Sequence, residues 1–147
     1  MKRQTIMIDA LVATPIDKVW QCWTQPDHIT QWNFASDEWC CPNAANDLTI
    51  GGHYRARMEA RDGSFGFDLE AVYNEVTEPS ALGMVLTDGR SVRTVFVPEG
   101  KATRITTTFD AEAENSIDMQ RDGWQAILNN FKIYVEANSD SGEPARL

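Results

Sequence analysis

Ile117-Asp118-Met119-Gln120-Arg121-Asp122-Gly123-Trp124-Gln125-Ala126-Ile127-Leu128-Asn129-Asn130-Phe131-Lys132-Ile133-Tyr134-Val135-Glu136 decides the reading of this chain. Large or apolar side chains recur at Ile117, Trp124, Ile127, Leu128, Phe131, Tyr134 and Val135. That is the i, i+3, i+4, i+7 rhythm of one broad helical face. A stripe carrying Trp, Phe and Tyr is wide enough to plug a concave surface. Almost everything before it reads as short helices and alternating strands. The expected arrangement is a curved antiparallel sheet wrapped around a helix over roughly 116–136, with room for a cavity between them.

Upstream of the helix lie two hairpin signals. Asp62-Gly63 is a two-residue turn between alternating segments. If Arg61 opposes Ser64, counting places Met58 opposite Phe67, Ala56 opposite Leu69 and Tyr54 opposite Ala71. The other face then holds Arg57 opposite Asp68 and Arg55 opposite Glu70. One register thus yields an apolar face and two opposite-charge pairs together, which supports it. On an open face such pairs contribute only ~0.2–1 kcal/mol each. Asp88-Gly89 signals a second hairpin between segments 82–86 and 91–97. Pro98-Glu99-Gly100-Lys101 then turns the chain into a Thr-rich strand over 103–110, and Asn115 or Ser116 is placed to cap the final helix. Gly51-Gly52 marks a tight corner before the first hairpin.

The amino-terminal part opens with a strand over 4–12 that contains Ile6, Ile8, Leu11 and Val12. Thr14 fits a helix N-cap, Pro15 the first helical position and Asp17 a capping-box acid. The helix that follows shows Ile16, Val19, Trp20 and Trp23 on one face. Pro26 opens a second short helix that ends near Trp32. One strand, two short helices, a run of antiparallel strands and a long helix make an α+β fold. No repeat or linker divides the chain. We therefore expect one domain over 1–137, followed by a polar, turn-rich tail over 138–147 that is expected to be disordered.

Composition narrows the function. The 147 residues are 42% hydrophobic and 10% aromatic, enough for a proper core, and no apolar run approaches the ~20 residues of a membrane span. The first residues lack the apolar segment of a signal peptide, so a cytoplasmic location is expected. A formal net charge of −9 without any Lys/Arg cluster argues against a nucleic-acid partner. Cys22, Cys40 and Cys41 are three, with two adjacent, which is no disulfide framework. With only His28 and His53 beside them and no ligand-like spacing, neither a metal site nor a cofactor is expected.

Taken in order, these elements resemble the helix-grip fold of the START-like superfamily, which includes birch-pollen-allergen-like proteins and polyketide cyclases. More narrowly they resemble single-domain homologues of the activator of the 90-kDa heat-shock protein ATPase. The residues that carry the resemblance are Ala13-Thr14-Pro15 with Val19-Trp20, then Trp23-Thr24 with Pro26 and Trp32. Asp47-Leu48 with Gly51-Gly52 and Tyr54 follow, then Asp62-Gly63, Asp88-Gly89-Arg90, and Gly123-Trp124 with Leu128 and Phe131. The resemblance spans residues 5–136 and implies a deep pocket for small apolar or aromatic molecules. Co-chaperone activity is not implied, because the namesake does much of its chaperone binding through an additional amino-terminal domain.

Three functions stay open on the sequence. The first is non-catalytic binding of a small hydrophobic or aromatic molecule between the sheet and the last helix. The second is a cyclase- or aromatase-like enzyme that uses the same cavity, although no nucleophile elbow, metal-ligand helix or phosphate loop is visible. The third is a protein-interaction module, a co-chaperone or a homodimer, which would need an exposed apolar patch. Candidate lining residues are Tyr54, Met58, Phe67, Leu69, Met84 and Leu86 on the sheet. Trp124 and Gln120 are candidates on the helix, and Trp32, Phe34 and Trp39 in irregular segments near a pocket mouth. Gln120 lies one turn before Trp124 on the buried stripe, so its amide either bonds to protein or orients a ligand. Trp20 reads as core. His28 and His53 read as exposed. Were the first hairpin's faces inverted, Arg55, Arg57, Asp68 and Glu70 would line the cavity instead.

Overall fold

The computed structural model describes residues 4–137, so the expectation for 138–147 lies outside the described residues. The elements in chain order are β1 (Thr5–Val12), α1 (Ile16–Thr24), α2 (Pro26–Ile29), β2 (Trp39–Cys40), β3 (Ala44–Asn46), β4 (His53–Ala60), β5 (Gly66–Thr77), β6 (Ala81–Leu86), β7 (Ser91–Glu99), β8 (Ala102–Asp110) and α3 (Ile117–Ala137). All strands join one antiparallel sheet in the order β1-β8-β7-β6-β5-β4-β2, with β3 also paired to β4. The sheet curls into a half-barrel around α3. No helix among the described residues is long and apolar enough to cross a membrane.

The period-2 pattern sets the faces. In β4 the even positions Tyr54, Ala56 and Met58 are buried while His53 and Arg55 are exposed. The β4–β5 register pairs Met58 with Phe67, Ala56 with Leu69, Tyr54 with Ala71, Arg57 with Asp68 and Arg55 with Glu70, as counted from the turn. The charged set is therefore the outer face, where Arg57 lies 2.9 Å from Glu59 and 3.5 Å from Asp68. The turn itself is wider than two residues. Ala60 N–H donates to Phe65 O and Gly63 N–H to Ala60 O, so residues 61–64 form the loop, with Gly63 at φ 79°. The parity of the pairing is unchanged, which is why the register survives. At the corner before β4, a Cβ on Gly52 would sit 2.1 Å from Asp47 O, so only glycine fits.

Other local expectations shift by a residue or two. Pro15, not Thr14, occupies the N-cap of α1 with extended backbone, while Thr14 is wholly buried and its carbonyl accepts the Thr103 hydroxyl. α2 ends at Ile29 rather than near Trp32, and further turns continue through Asn33. The β7–β8 turn contracts to Gly100-Lys101, because Pro98 and Glu99 still pair with Thr103 and Ala102. Ser116 caps α3, its hydroxyl accepting the Met119 N–H at 3.1 Å.

The interior divides into two ends. Around Phe131 of α3, Trp23 and Trp32 meet the ring edge-on at 4.9 Å, and Trp20 and Trp23 both contact Phe96 of β7 at 5.6 Å. This end is packed solid, with Phe96, Phe131, Ile105 and Val135 almost inaccessible to solvent. Trp20 is core, as expected. Beneath the amino-terminal half of α3, facing the β4–β5 and β6–β7 hairpins, packing is incomplete.

Candidate ligand-binding site

Between α3 and these hairpins the side chains of helix and sheet leave space unfilled. The result is a cavity of about 290 Å³. From the sheet it is lined by Ile8, Tyr54, Met58, Phe67, Leu69, Met84, Leu86, Val92, Thr94 and Thr107. From the helices and loops come Trp23, Trp32, Asn33, Arg90, Trp124, Ile127 and Leu128. Phe67 is 42% exposed although it shares the inward face of β5, which marks the mouth.

Of the residues expected to bind ligand, Trp32, Tyr54, Met58, Phe67, Leu69, Met84, Leu86 and Trp124 line this cavity; Phe34, Trp39 and Gln120 do not. Phe34 lies under the Arg61 guanidinium, 5.8 Å from its ring centroid. Trp39 stands in edge strand β2 and meets Phe65 and Phe67 edge-on at 6.1 and 6.3 Å. It therefore buttresses a mouth residue instead of facing the cavity. Gln120 is buried and its amide is spent on the β8–α3 loop. Oε1 accepts the Glu112 N–H at 2.8 Å, and Nε2 donates to Asn115 O at 2.9 Å and Glu112 O at 3.2 Å. Of the two roles its stripe position allowed, the bond to protein is the one it makes.

Polar groups in the lining are few and specific. Asn33 Nδ2 donates to Tyr54 Oη at 3.0 Å, and no other hydrogen bond engages either side chain among the described residues. The phenol hydrogen and the Asn33 Oδ1 acceptor thus stay available. Burial pushes the Tyr54 phenol well above the usual tyrosine range, with Tyr73 and Cys41 adding to the effect and the Asn33 bond opposing it. Tyr54 is a neutral donor at physiological pH. The Thr94 and Thr107 hydroxyls bond each other at 3.0 Å. Whichever one accepts keeps its own hydrogen for a third partner. Arg90 lies where the β6–β7 turn meets the cavity, its Nε 2.8 Å from Asp88.

Asn33 reaches the site because its loop is anchored. Asn130 of α3 donates to Trp32 O at 3.3 Å and Phe34 O at 3.0 Å, and Trp32 Nε1 donates to Cys22 O at 3.0 Å. Sequence reading overlooked Asn33, Arg90, Thr94 and Thr107. Strand parity could have found the last three: 86, 90, 92, 94 share one parity across the second hairpin, and Thr107 pairs with Thr94. No periodic signal marks Asn33, which lies in irregular chain.

The remaining titratable candidates lie elsewhere. His28, expected on the surface, is half-buried, with Nδ1 2.7 Å from Tyr134 Oη. Desolvation, and then Lys18, hold its pKa below the usual histidine value, with Asp27 opposing. His53 is exposed. All three cysteines are free thiols; burial and the neighbouring Cys40 push Cys41 up to about 11.

Comparison with known proteins agrees with this fold. Residues 13–136 match the family model described as "Activator of Hsp90 ATPase homolog 1-like protein". A search of curated proteins returns no match. Among solved structures, the solution NMR structure of the AHSA1-like protein from Aeromonas hydrophila is 39% identical, covers 98% of this chain and 100% of its own, and superposes with a TM-score of 0.89. A solution structure of a Cytophaga hutchinsonii protein is 42% identical over 97% of this chain and 99% of its own, with a TM-score of 0.79. A crystal structure from Nitrosomonas europaea shares the fold at 18% identity, covering 90% of this chain and 94% of its own with a TM-score of 0.77. With a family match across almost the whole helix-grip fold, this chain belongs to the Activator of Hsp90 ATPase homolog 1-like family.

Proposed function

We propose that this protein binds a small hydrophobic or aromatic molecule, without converting it, in the cavity between the half-barrel and α3. The observation that carries the reading is the character of the lining: aromatic and aliphatic walls from both layers, with a handful of polar groups still offering bonds. Ligand sites have this composition, apolar area supplying affinity and isolated polar atoms supplying orientation. At about 290 Å³ the space suits a molecule of one or two rings.

A cyclase-like reaction in the same space needs a group that takes or gives a proton near neutral pH. Among the described residues the lining holds no His, Asp, Glu, Lys or Cys, and burial raises the Tyr54 pKa further from neutral pH. That favours binding over catalysis. An interaction module has one observation on its side: Phe65 is 60% exposed beside Phe67 and Trp39 at the β4–β5 hairpin.

The test is titration with naphthalene-type bicyclics, followed by tryptophan fluorescence and calorimetry. Trp23, Trp32 and Trp124 line the cavity, so bound aromatics should quench emission and bind at one site per chain. Absence of binding by any apolar ring compound at its solubility limit defeats the reading. Concentration-dependent self-association abolished by Phe65→Ser would favour the interaction module instead.

A further inference from the structure

We infer that the ligand is an anion: an aromatic or apolar carboxylate whose charged end is held by Arg90 at the cavity mouth. The inference rests on the cavity reading above and narrows it to a chemical class.

Among the described residues, Arg90 is the one permanently charged side chain in the lining. Its side chain is only 17% exposed, against 53% for its partner Asp88. A guanidinium withdrawn this far from water needs compensation. Asp88 supplies part of it, through Nε at 2.8 Å, and its other oxygen accepts the Arg90 backbone N–H at 3.2 Å. Neither Nη group has a hydrogen bond among the described residues. Asp88 therefore fixes the orientation of the guanidinium and leaves its Nη donors uncommitted. Such donors suit the planar, two-oxygen geometry of a carboxylate.

Overall charge gives this weight. The chain carries −9, so its long-range field repels anions, and a cation in the cavity wall is no reflection of general basicity. The other arginines in ion pairs, Arg57, Arg93, Arg104 and Arg121, pair with acids on exposed strands or on the helix surface. Arg90 alone among them borders the cavity. The other polar groups of the lining, Asn33, Tyr54 and the Thr94–Thr107 pair, are neutral. A ligand with a neutral polar substituent deep in the cavity and a carboxylate at the mouth satisfies both ends.

The experiment compares naphthalene-2-carboxylate with its neutral near-isostere naphthalene-2-carboxamide, by calorimetry on the full chain near neutral pH and low salt. Wild type should prefer the carboxylate by about tenfold, the scale of one charge-assisted pair. Arg90→Gln should lose that preference by weakening the carboxylate far more than the carboxamide, and the carboxamide binding that remains reports that the cavity is intact. Arg90→Lys, which keeps the charge without the fork, should retain part of the preference. Equal affinity of wild type for the two probes overturns the anion inference and leaves the cavity reading standing, as does an Arg90→Gln protein that still prefers the carboxylate. Binding of neither probe overturns both.

Discussion

Trp124 of α3 stacks nearly parallel on Phe109 of β8, ring centroids 3.9 Å apart and planes 12° from coplanar. One face of the indole is thus committed to the sheet, while the residue also lines the cavity. A single side chain packs helix on sheet and walls the cavity. Farther along the same stripe, Phe131 does only the first of these, since it is wholly buried among Trp23 and Trp32.

This difference separates wall from core by mutation. Phe131→Ala should cost ~3–5 kcal/mol, as for large aromatics in a filled core. Trp124→Ala removes a larger side chain but from a partly open site, and should cost less, about 2–3 kcal/mol. It should also admit larger ring systems. Urea midpoints for the two variants check the order; a larger loss at Trp124 would place the core at the wrong end of the helix.

Gln120→Leu should destabilise by ~1–3 kcal/mol, because it removes three part-buried hydrogen bonds from the Gln120 amide to the Glu112 and Asn115 backbone. Ligand selectivity should not change, since the amide does not line the cavity. A calorimetric ligand panel that reorders in this variant would reassign Gln120 to the site.

The Thr94–Thr107 pair gives a double-mutant test. Thr94→Val alone should cost ~1–3 kcal/mol by orphaning a buried hydroxyl, whereas Thr94→Val with Thr107→Val should recover most of that loss. Ligands with a hydrogen-bonding substituent should weaken in the double variant while plain hydrocarbons hold. Additive stability losses would show that the two hydroxyls are not each other's main partner.

His28 makes stability depend on pH. Its folded pKa lies below the ordinary 6.5, chiefly through desolvation. The unfolded chain therefore takes up the proton first on acidification, and folding stability falls as pH drops through 6.5 toward the folded value. Above 6.5 the contribution is fully present. The effect is modest because the ring is part-solvated. In His28→Gln the urea midpoint should vary less between neutral and mildly acidic pH; an unchanged slope would assign the acid sensitivity to other groups.

Much of the fold is local in origin and could be read from the chain. The β4–β5 register follows from turn position and the two-residue alternation, and it held even though the loop is wider than a two-residue turn, because Ala60 opposite Phe65 has the same parity as Arg61 opposite Ser64. The α3 stripe follows from helical spacing, and the sheet curled around it is what an aromatic helix face demands. These patterns say which face of an element is buried.

They do not say what that face meets. Trp124 and Phe131 look alike in the stripe, yet one borders a cavity and the other fills a core, because where packing ends depends on which side chains of several elements meet across from the helix. Gln120 turns to the loop backbone, and Trp39 buttresses Phe67 from outside, through contacts between segments distant in sequence or irregular in shape. Asn33 enters the site only because Asn130, nearly a hundred residues later, holds its loop. Alternation and periodicity are properties of one element at a time, so the sequence by itself determined the elements, their faces and their pairing. The space between elements belongs to all of them at once, and only the tertiary structure decided where it opens and which polar atoms are left facing it.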